Sequence, residues 1–325
     1  MRKLTFIFIL SCALITLALA LPVLASPKPM QYEIILNEQY VTPTMPLIEE
    51  KGNILIPLRE FASAMGASSI TWDAPHHTVT VVVDDFFKAH EYLSFLSGLQ
   101  SAQNDYPLPP RLQNLNLPAY PLYSKTPPML HSNPIGLNII SGELTMPWSV
   151  YDYEVQNGTL YVGIDWLNTL FLAQIEQTPT CLLITYPTSE VLDQDIAALL
   201  ELTMPLSVEE AIALWIHGQQ NRNGALQYAA LSPELKAKAL TYFHKQGWVT
   251  GSSSPSLEQA AVDDISSPDD STVIYKVTFK ERNGIHENSQ IHQTLTIKKY
   301  TCDEQDYWFI TEASGDLDYY SVLSD

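Results

Sequence analysis

The sequence is poor in cysteine, in basic residues and in long apolar runs, and each shortage excludes a class of protein. Its 325 residues include only three cysteines, too few for the disulfide framework of a small secreted domain. Lys and Arg number 17 against 36 Asp and Glu, which gives a formal net charge of −19. Because such a surface repels phosphate groups, we expect no nucleic-acid partner. A hydrophobic content of 46% nevertheless predicts that most of the chain folds.

The one long apolar run lies at the N-terminus and indicates export. Two basic residues precede an apolar stretch over residues 4–24, and a small-residue cleavage pattern follows just before Ser26. This pattern predicts a signal peptide over residues 1–25 and a secreted or cell-wall-associated, extracytoplasmic protein. Two alternatives stay open, an uncleaved membrane anchor and a lipoprotein signal at Cys12. We expect membrane contact only through an uncleaved N-terminal segment.

Cleavage after residue 25 would leave Cys181 and Cys302 as the remaining cysteines. They lie in what we predict to be different domains, so we expect two unpaired, half-buried thiols. A disulfide between the two domains is the alternative.

Residues 52–67 give the clearest local prediction, a strand that runs directly into a helix. Residues 54–56 form an apolar run typical of a buried strand, and Pro57 suits the first turn of a helix. Gly66 is placed to end that helix. We expect Arg59 to anchor this corner through an ion pair or a cap. The buried helix face would consist of residues spaced at i, i+3, i+4 and i+7: Leu58, Phe61, Ala62 and Met65.

Strands are predicted on both sides of this corner. Residues 33–41 indicate a hairpin that turns near Asn37-Glu38, and residues 78–83 place three valines on one strand face. The predicted order of elements is β-β-β-α-β-β over about 55 residues.

Five segments of this region carry a family resemblance: Ile35-Leu36-Asn37, Ile56-Pro57-Leu58-Arg59-Glu60, Gly66-Ala67, Trp72-Asp73 and the valine strand. Together they resemble the copper amine oxidase N-terminal domain-like module, also called the stalk domain, of secreted Gram-positive bacterial proteins. In that family the module is an accessory domain, separate from the copper-dependent catalytic domain. The chain has neither the Asn-Tyr-Asp/Glu segment that forms the oxidase cofactor nor paired histidines at ligand spacing. We therefore expect no metal, no cofactor and no amine oxidation.

A second segment repeats the apolar positions of the corner at an offset of 106 residues, so that residues 54–56 correspond to residues 160–162. We therefore predict an internal repeat. The stalk domain would span residues 30–186, with repeat one at 30–84, a Pro-rich insertion at 85–136 and repeat two at 137–186. The insertion would begin with a helix within residues 84–103. Its later prolines prevent regular structure, while its leucines and tyrosines predict packing along a surface.

The remaining sequence predicts helices first and strands afterwards. Residues 187–206 would form a linker helix, Ser207 and Glu210 form a capping box for the next helix, and Ser232 caps a later one. A Ser- and Asp-rich stretch over residues 251–271 predicts a mobile loop. Three strands with one apolar and one mostly polar face would close the chain, near residues 273–280, 291–298 and 307–311.

This order of elements, with the segments Trp215-Ile216-His217-Gly218 and 222–228, resembles the nuclear transport factor two-like (cystatin-like) cone domains of bacterial envelope proteins from Pro205 to about residue 314. The predicted domain spans residues 207–325. The predicted fold class is therefore α+β. A stalk domain of two imperfect β-rich repeats, each with one helix, would precede a cone-like domain in which helices precede an antiparallel sheet. The resemblance implies that catalytic members need an Asp/His or Tyr/Asp pair inside the cone. His217 is the one weak catalytic candidate, with Asp306 or Glu312 as its partner.

Aromatic residues give the candidate ligand-binding set, although such residues also form cores. The candidates that would line the cone are Trp215, Tyr228, Tyr242, Trp248 and Trp308. Other polar clusters favour a solvated surface over a metal site: the histidines at 76–77, 286 and 292, and the acidic pairs at 263–264 and 269–270.

These observations lead to a hypothesis with two alternatives. The leading hypothesis is a non-enzymatic binding or scaffold protein of the cell envelope, whose partner is an envelope protein, a peptide or a cell-wall polymer. One alternative is a hydrolase or isomerase that acts around His217. The other is a purely structural spacer.

Overall fold

The computed structural model describes residues 28–30, 32–101, 106–117, 129–251, 256–282 and 290–316, so the predicted signal peptide lies outside the described residues. The described chain is mixed α+β, which confirms the predicted class at that level. Its first half contains β1 (Lys28–Met30), β2 (Glu33–Leu36), β3 (Gln39–Val41), β4 (Leu47–Glu50), β5 (Asn53–Pro57), α1 (Leu58–Ala64), β6 (Ser69–Asp73), β7 (Thr78–Val82) and α2 (Phe86–Gln100). A 3₁₀ turn follows at Pro110–Leu112.

The next elements are β8 (Ile135–Ser141), β9 (Leu144–Val150), β10 (Tyr153–Gln156), β11 (Thr159–Gly163), α3 (Trp166–Phe171), β12 (Gln174–Gln177) and β13 (Cys181–Thr185). The C-terminal part contains α4 (Ser189–Leu202), α5 (Val208–Gln220), α6 (Gly224–Ala230), α7 (Pro233–Lys245), β14 (Ser256–Asp269), β15 (Thr272–Arg282), β16 (Gln290–Cys302) and β17 (Gln305–Gly315).

Strands from β1–β7 and from β8–β13 interlock in three shared sheets. Their orders are β1-β4-β5-β11-β10, β12-β13-β2-β3 and β6-β7-β8-β9. At the centre of the first sheet, β5 and β11 are antiparallel, and Ile56 pairs with Val162, a residue 106 positions later. In the other two sheets β13 lies parallel to β2, and β7 lies parallel to β8. Neither set of strands completes these sheets by itself.

The strand-to-helix corner forms as predicted. Pro57 has an extended backbone with φ −68° and ψ 101°, and α1 begins at the next residue. The predicted helix face is buried, and the chain leaves the helix through Gly66, whose φ of 104° favours glycine. The anchor predicted for Arg59 is wrong, because its side chain is exposed and forms no ion pair with a described residue. Glu60 holds the corner instead, since its carboxylate accepts a hydrogen bond from the Thr44 backbone N–H at 2.9 Å.

The loop predicted over residues 251–271 is wrong for most of its length. β14 occupies Ser256–Asp269 and pairs with β15 at the edge of a four-stranded antiparallel sheet. The apolar residues of this strand pack against the core even though they are few: Leu257, Ala260 and Val262. A register shift between Glu258 and Ala260 interrupts the strict alternation that would have identified a strand in the sequence.

Two large hydrophobic cores organise the described chain, beside a small cluster of Ile48, Leu55 and Tyr161. The first core fills the space between the three shared sheets and includes α1 and α3, whereas the second lies between the C-terminal helices and β15–β17. The part of the Pro-rich segment that the structure describes at residues 106–117 packs on the second core, as its leucines predicted, because Leu108 and Leu112 are buried there. The helix predicted at the start of the Pro-rich insertion is α2, which reaches both cores. Phe86 and Phe87 contribute to the first core, and Phe95 and Leu96 contribute to the second.

The two cysteines that follow the predicted signal peptide are free thiols, as expected. Cys181 is half-buried, but Cys302 is exposed, so the predicted burial is wrong for the second. Within the described part of the chain, no helix combines the length and the apolar character needed to cross a membrane.

Close helix packing and buried hydrogen bonds fix α2 to the C-terminal helices. The Asn223 side-chain amide donates to the Ser94 backbone carbonyl at 2.5 Å, and the Ser94 hydroxyl donates to the Trp248 carbonyl at 3.2 Å. Gly98 permits this approach, because a Cβ there would lie 2.7 Å from Asn223 Nδ2 and 2.7 Å from Leu226 Cδ1. Further along the chain, Arg111 pairs with Glu210 at 2.8 Å and ties the 3₁₀ turn to α5.

We predict that Gly98→Ala destabilises the protein. Alanine would gain about 1 kcal/mol of helix propensity, but overpacking against Asn223 and Leu226 costs roughly 1–3 kcal/mol. The expected result is a net loss of free energy of unfolding, measured by urea denaturation. A gain in stability would contradict the close approach of α2 to α6.

Candidate binding groove

His217 is a buried structural residue rather than an open catalytic group. Its ring is 2% exposed, with Nε2 3.2 Å from the Gly98 carbonyl oxygen and Nδ1 3.4 Å from the Tyr106 carbonyl oxygen. Burial lowers the pKa of His217, and the two carbonyls only partly oppose that effect. Of its proposed partners, Asp306 pairs with Lys299 on β16 and Glu312 accepts a hydrogen bond from Thr296. His217 therefore links α5 to α2 through the Gly98 carbonyl.

The predicted aromatic set divides between full and partial burial. Trp215 and Trp248 are fully buried, which places them in the core rather than in an open pocket. Trp215 Nε1 donates to Gln293 Oε1 at 2.9 Å, and Trp248 Nε1 donates to the Phe87 carbonyl at 3.2 Å. Tyr228 is 9% exposed and packs edge-on against Trp248. The remaining two, Tyr242 and Trp308, are half-buried.

The polar clusters do not assemble a metal site among the described residues. His76 Nδ1 lies 2.8 Å from Asp73 Oδ2 in an exposed turn, and His292 Nδ1 lies 3.1 Å from Thr278 Oγ1. Asp269 accepts hydrogen bonds from the backbone and hydroxyl of Ser271. His286 lies outside the described residues. In the ranges that the structure describes, no group of three His, Cys, Asp or Glu side chains is placed to hold a metal ion.

Two adjacent titratable residues of α2 are shielded from solvent, Glu91 buried and His90 half-buried. Glu91 is 7% exposed, and burial raises the pKa of its carboxyl to about 7, with Asp193 adding to the rise and Lys88 opposing it. Burial lowers the pKa of His90 to about 4, and its Nδ1 has no hydrogen-bond partner. Between a pH of about 4 and about 7 both side chains are therefore mostly neutral in the folded protein. A neutral side chain costs less free energy to bury between two cores than a charged one.

We predict that Glu91→Gln stabilises the protein more at pH 8 than at pH 4.5. The folded-state pKa of about 7 exceeds the unfolded value near 4.5, so stability falls as the pH rises through that window. The effect amounts to about 3 kcal/mol at most. Urea denaturation at both pH values measures it. His90→Gln is the control, because the lowered pKa of His90 instead costs stability as the pH falls from about 6.5 to about 4. An equal effect of Glu91→Gln at both pH values would contradict the burial of a neutral carboxyl.

The first cavity of the described structure has a volume of about 310 Å³ and lies where four helices meet. The ends of α1 and α3 form one side through Met65 and Phe171, and the starts of α2 and α4 form the other through Asp85 and Ser189. Polar contacts join α2 to α4 in this cavity and beside it. Ser189 Oγ donates to Asp85 Oδ1 at 3.0 Å, and Lys88 Nζ lies 2.8 Å from an Asp193 oxygen.

The second cavity has a volume of about 240 Å³ and lies between α1 and the β2–β3 hairpin. Its walls are mostly apolar and include Leu36, Val41 and Phe61, with residues 42–44 as the outer side. Glu60 contributes a carboxylate that accepts hydrogen bonds from the Thr44 hydroxyl and backbone, so this polar wall is fixed in place. Ala64 lines both cavities. We call the two cavities and this shared helix surface the α1 groove.

An open strand edge borders the second cavity. β3 is the outermost strand of its sheet, and Tyr40 at its centre is 73% exposed. The predicted hairpin turn is confirmed, because Asn37 and Glu38 both have positive φ, 44° and 67°, as a two-residue type I′ turn requires.

Sequence reasoning missed the groove and looked for a site in the C-terminal part. The sequence signal was Tyr40 on a short strand that Pro43 terminates.

Comparison with known proteins gives one family match. The copper amine oxidase N-terminal domain family matches residues 35–86. The match contains every residue that lines the second cavity and part of the first. No curated protein and no solved structure matches the chain.

Proposed function

We propose that this chain is a non-enzymatic binding or scaffold protein of the cell envelope, and that the α1 groove holds a segment of a protein or peptide ligand. One observation carries the proposal: two cavities of about 310 and 240 Å³ flank the exposed Ala64 beside an open strand edge. Ligand sites are typically concave and mostly apolar, with a few fixed polar groups. The second cavity has this character, because its carboxylate is held by Thr44.

The enzyme alternative loses support from the surroundings of His217. Its ring is 2% exposed and faces two backbone carbonyls, an arrangement that fastens helices together. The extracytoplasmic location in the proposal rests on the N-terminal sequence pattern over residues 1–25.

We also propose that residues 30–84 and 137–186 are two copies of one stalk unit. The pairing of Ile56 with Val162 supports this, because residues at the repeat offset face each other at the centre of a sheet. β2, near the start of the first segment, lies parallel to β13 at the end of the second. β8, at the start of the second segment, lies parallel to β7 at the end of the first. For residues 207–325, the order of α5–α7 before an antiparallel sheet supports a cone-like domain.

Filling the groove at its shared residue tests the binding proposal. Ala64→Phe would place a phenyl ring between the two cavities, on an exposed helix position that tolerates the larger side chain. Ser63→Phe is the matched control, since Ser63 is the exposed neighbour on α1 and lines neither cavity. The probe is a displayed library of random peptides, selected on the secreted full chain, and fluorescence polarisation then measures the affinity of selected peptides.

We expect Ala64→Phe to weaken the selected peptides at least about tenfold, which corresponds to 1.4 kcal/mol, and Ser63→Phe to leave their affinity unchanged. Failure to select any peptide would contradict the proposal and favour the spacer. Equal losses of peptide affinity in both variants would place binding outside the groove. The same conclusion would follow if the chain retained purified cell-wall fragments and Ala64→Phe did not reduce that retention.

A further inference from the structure

The hairpin geometry determines which backbone groups face the open edge of β3. Residues that flank a two-residue turn exchange both main-chain hydrogen bonds, and the next pair along the hairpin exchanges none. Leu36 and Gln39 flank the turn, so Ile35 and Tyr40 form that next pair. The Tyr40 N–H and C=O therefore point away from β2. They lie at the outer edge of the sheet, where the structure describes no further strand.

The same register relates an added strand to the second cavity. Val41 lies opposite Ile34, and both belong to the face that packs towards α1, whereas the exposed Tyr40 lies on the other face. Side chains alternate between the two faces of a sheet. In a ligand strand placed beside β3, one residue would lie opposite Tyr40. The two ligand residues next to it along the strand would point towards α1. Val41 and Phe61 line the cavity on that side.

The charges around this edge select a positively charged ligand. Glu33 and Glu38 are exposed, and Glu60 lies in the cavity wall. None of the three forms an ion pair with a described basic residue. Lys88, which contacts Ser189 of the first cavity, is already paired with Asp193 at 2.8 Å. The formal charge of the whole chain, −19, has the same sign.

We propose that the ligand is an extended, basic segment of a partner protein that adds as a strand to the open edge of β3 and inserts an apolar side chain into the second cavity. This inference rests on the proposed binding function of the α1 groove and names its ligand class. Main-chain hydrogen bonds to Tyr40 supply affinity, and the cavity and the three glutamates supply selectivity.

Three short synthetic peptides test the ligand class. The first alternates lysine and leucine, the second alternates glutamate and leucine, and the third is the lysine peptide with methyl groups on alternate backbone nitrogens. Fluorescence polarisation with the secreted full chain should give saturable binding of the first peptide. We expect the second and third to bind at least about tenfold more weakly, because one has the wrong charge and the other has lost its main-chain donors.

Two variants at one position test the strand edge. Tyr40→Pro removes the outward N–H, and proline is tolerated at an edge where that group faces solvent. Tyr40→Ala is the matched control, because it keeps the N–H and removes the exposed ring. We expect Tyr40→Pro to weaken the lysine peptide about tenfold and Tyr40→Ala to weaken it much less. If Tyr40→Pro does not fold, the methylated peptide still tests the same hydrogen bonds from the ligand side.

The outcomes separate this inference from the binding proposal. If methylation and Tyr40→Pro have no effect while Ala64→Phe abolishes binding, the groove binds its ligand in another way and strand addition is wrong. Equal binding of the acidic peptide would overturn the predicted charge. A stable dimer of the chain that the lysine peptide does not displace would assign the edge to a second copy. If neither these peptides nor the library yields a ligand, the binding proposal fails as well.

Discussion

The antiparallel pairing of β5 with β11 is the constraint on which the N-terminal architecture depends. Ile56 and Val162 face each other there, and both are buried almost completely. β5 runs directly into α1, and β11 leads into α3 after two residues, so this single pairing also fixes the positions of α1 and α3. Met65 and Phe171, at the ends of the two helices, then meet across the first cavity. The first cavity is a consequence of two strand-to-helix corners that share one sheet.

Helix α2 links this arrangement to the C-terminal part. Ten of its fifteen residues are buried, so it packs on several sides rather than presenting one apolar stripe. Its first turn lies beside the first cavity through Asp85, and its later turns are tied to α6 through Ser94 and Asn223. The buried Glu91, whose pKa is raised by burial to about 7, lies between these ends. A ligand in the first cavity of the α1 groove would therefore contact α2, a helix that both cores hold in place.

The sequence patterns correctly predicted those features that depend only on neighbouring residues. Pro57, the spacing of Leu58 and Phe61, and Gly66 specify the corner through backbone preferences and the helix period, and the corner forms as expected. Arg59 was misjudged because the partner of a surface charge depends on distant residues; Glu60 and Thr44 make the contact instead. β14 was missed because a register shift and many Ser and Asp residues hide its alternation. The first cavity was missed for a deeper reason, since its walls come from segments about 100 residues apart, at 64–89 and 170–192, and no single stretch describes them.

The most direct measurement is hydrogen–deuterium exchange of the full chain, with and without a saturating bound peptide. Binding in the α1 groove should slow exchange at the Tyr40 amide and across α1, with no change in α5 and α6. Protection confined to segments around His217 and Trp308, with the exchange of Tyr40 unaltered, would contradict it.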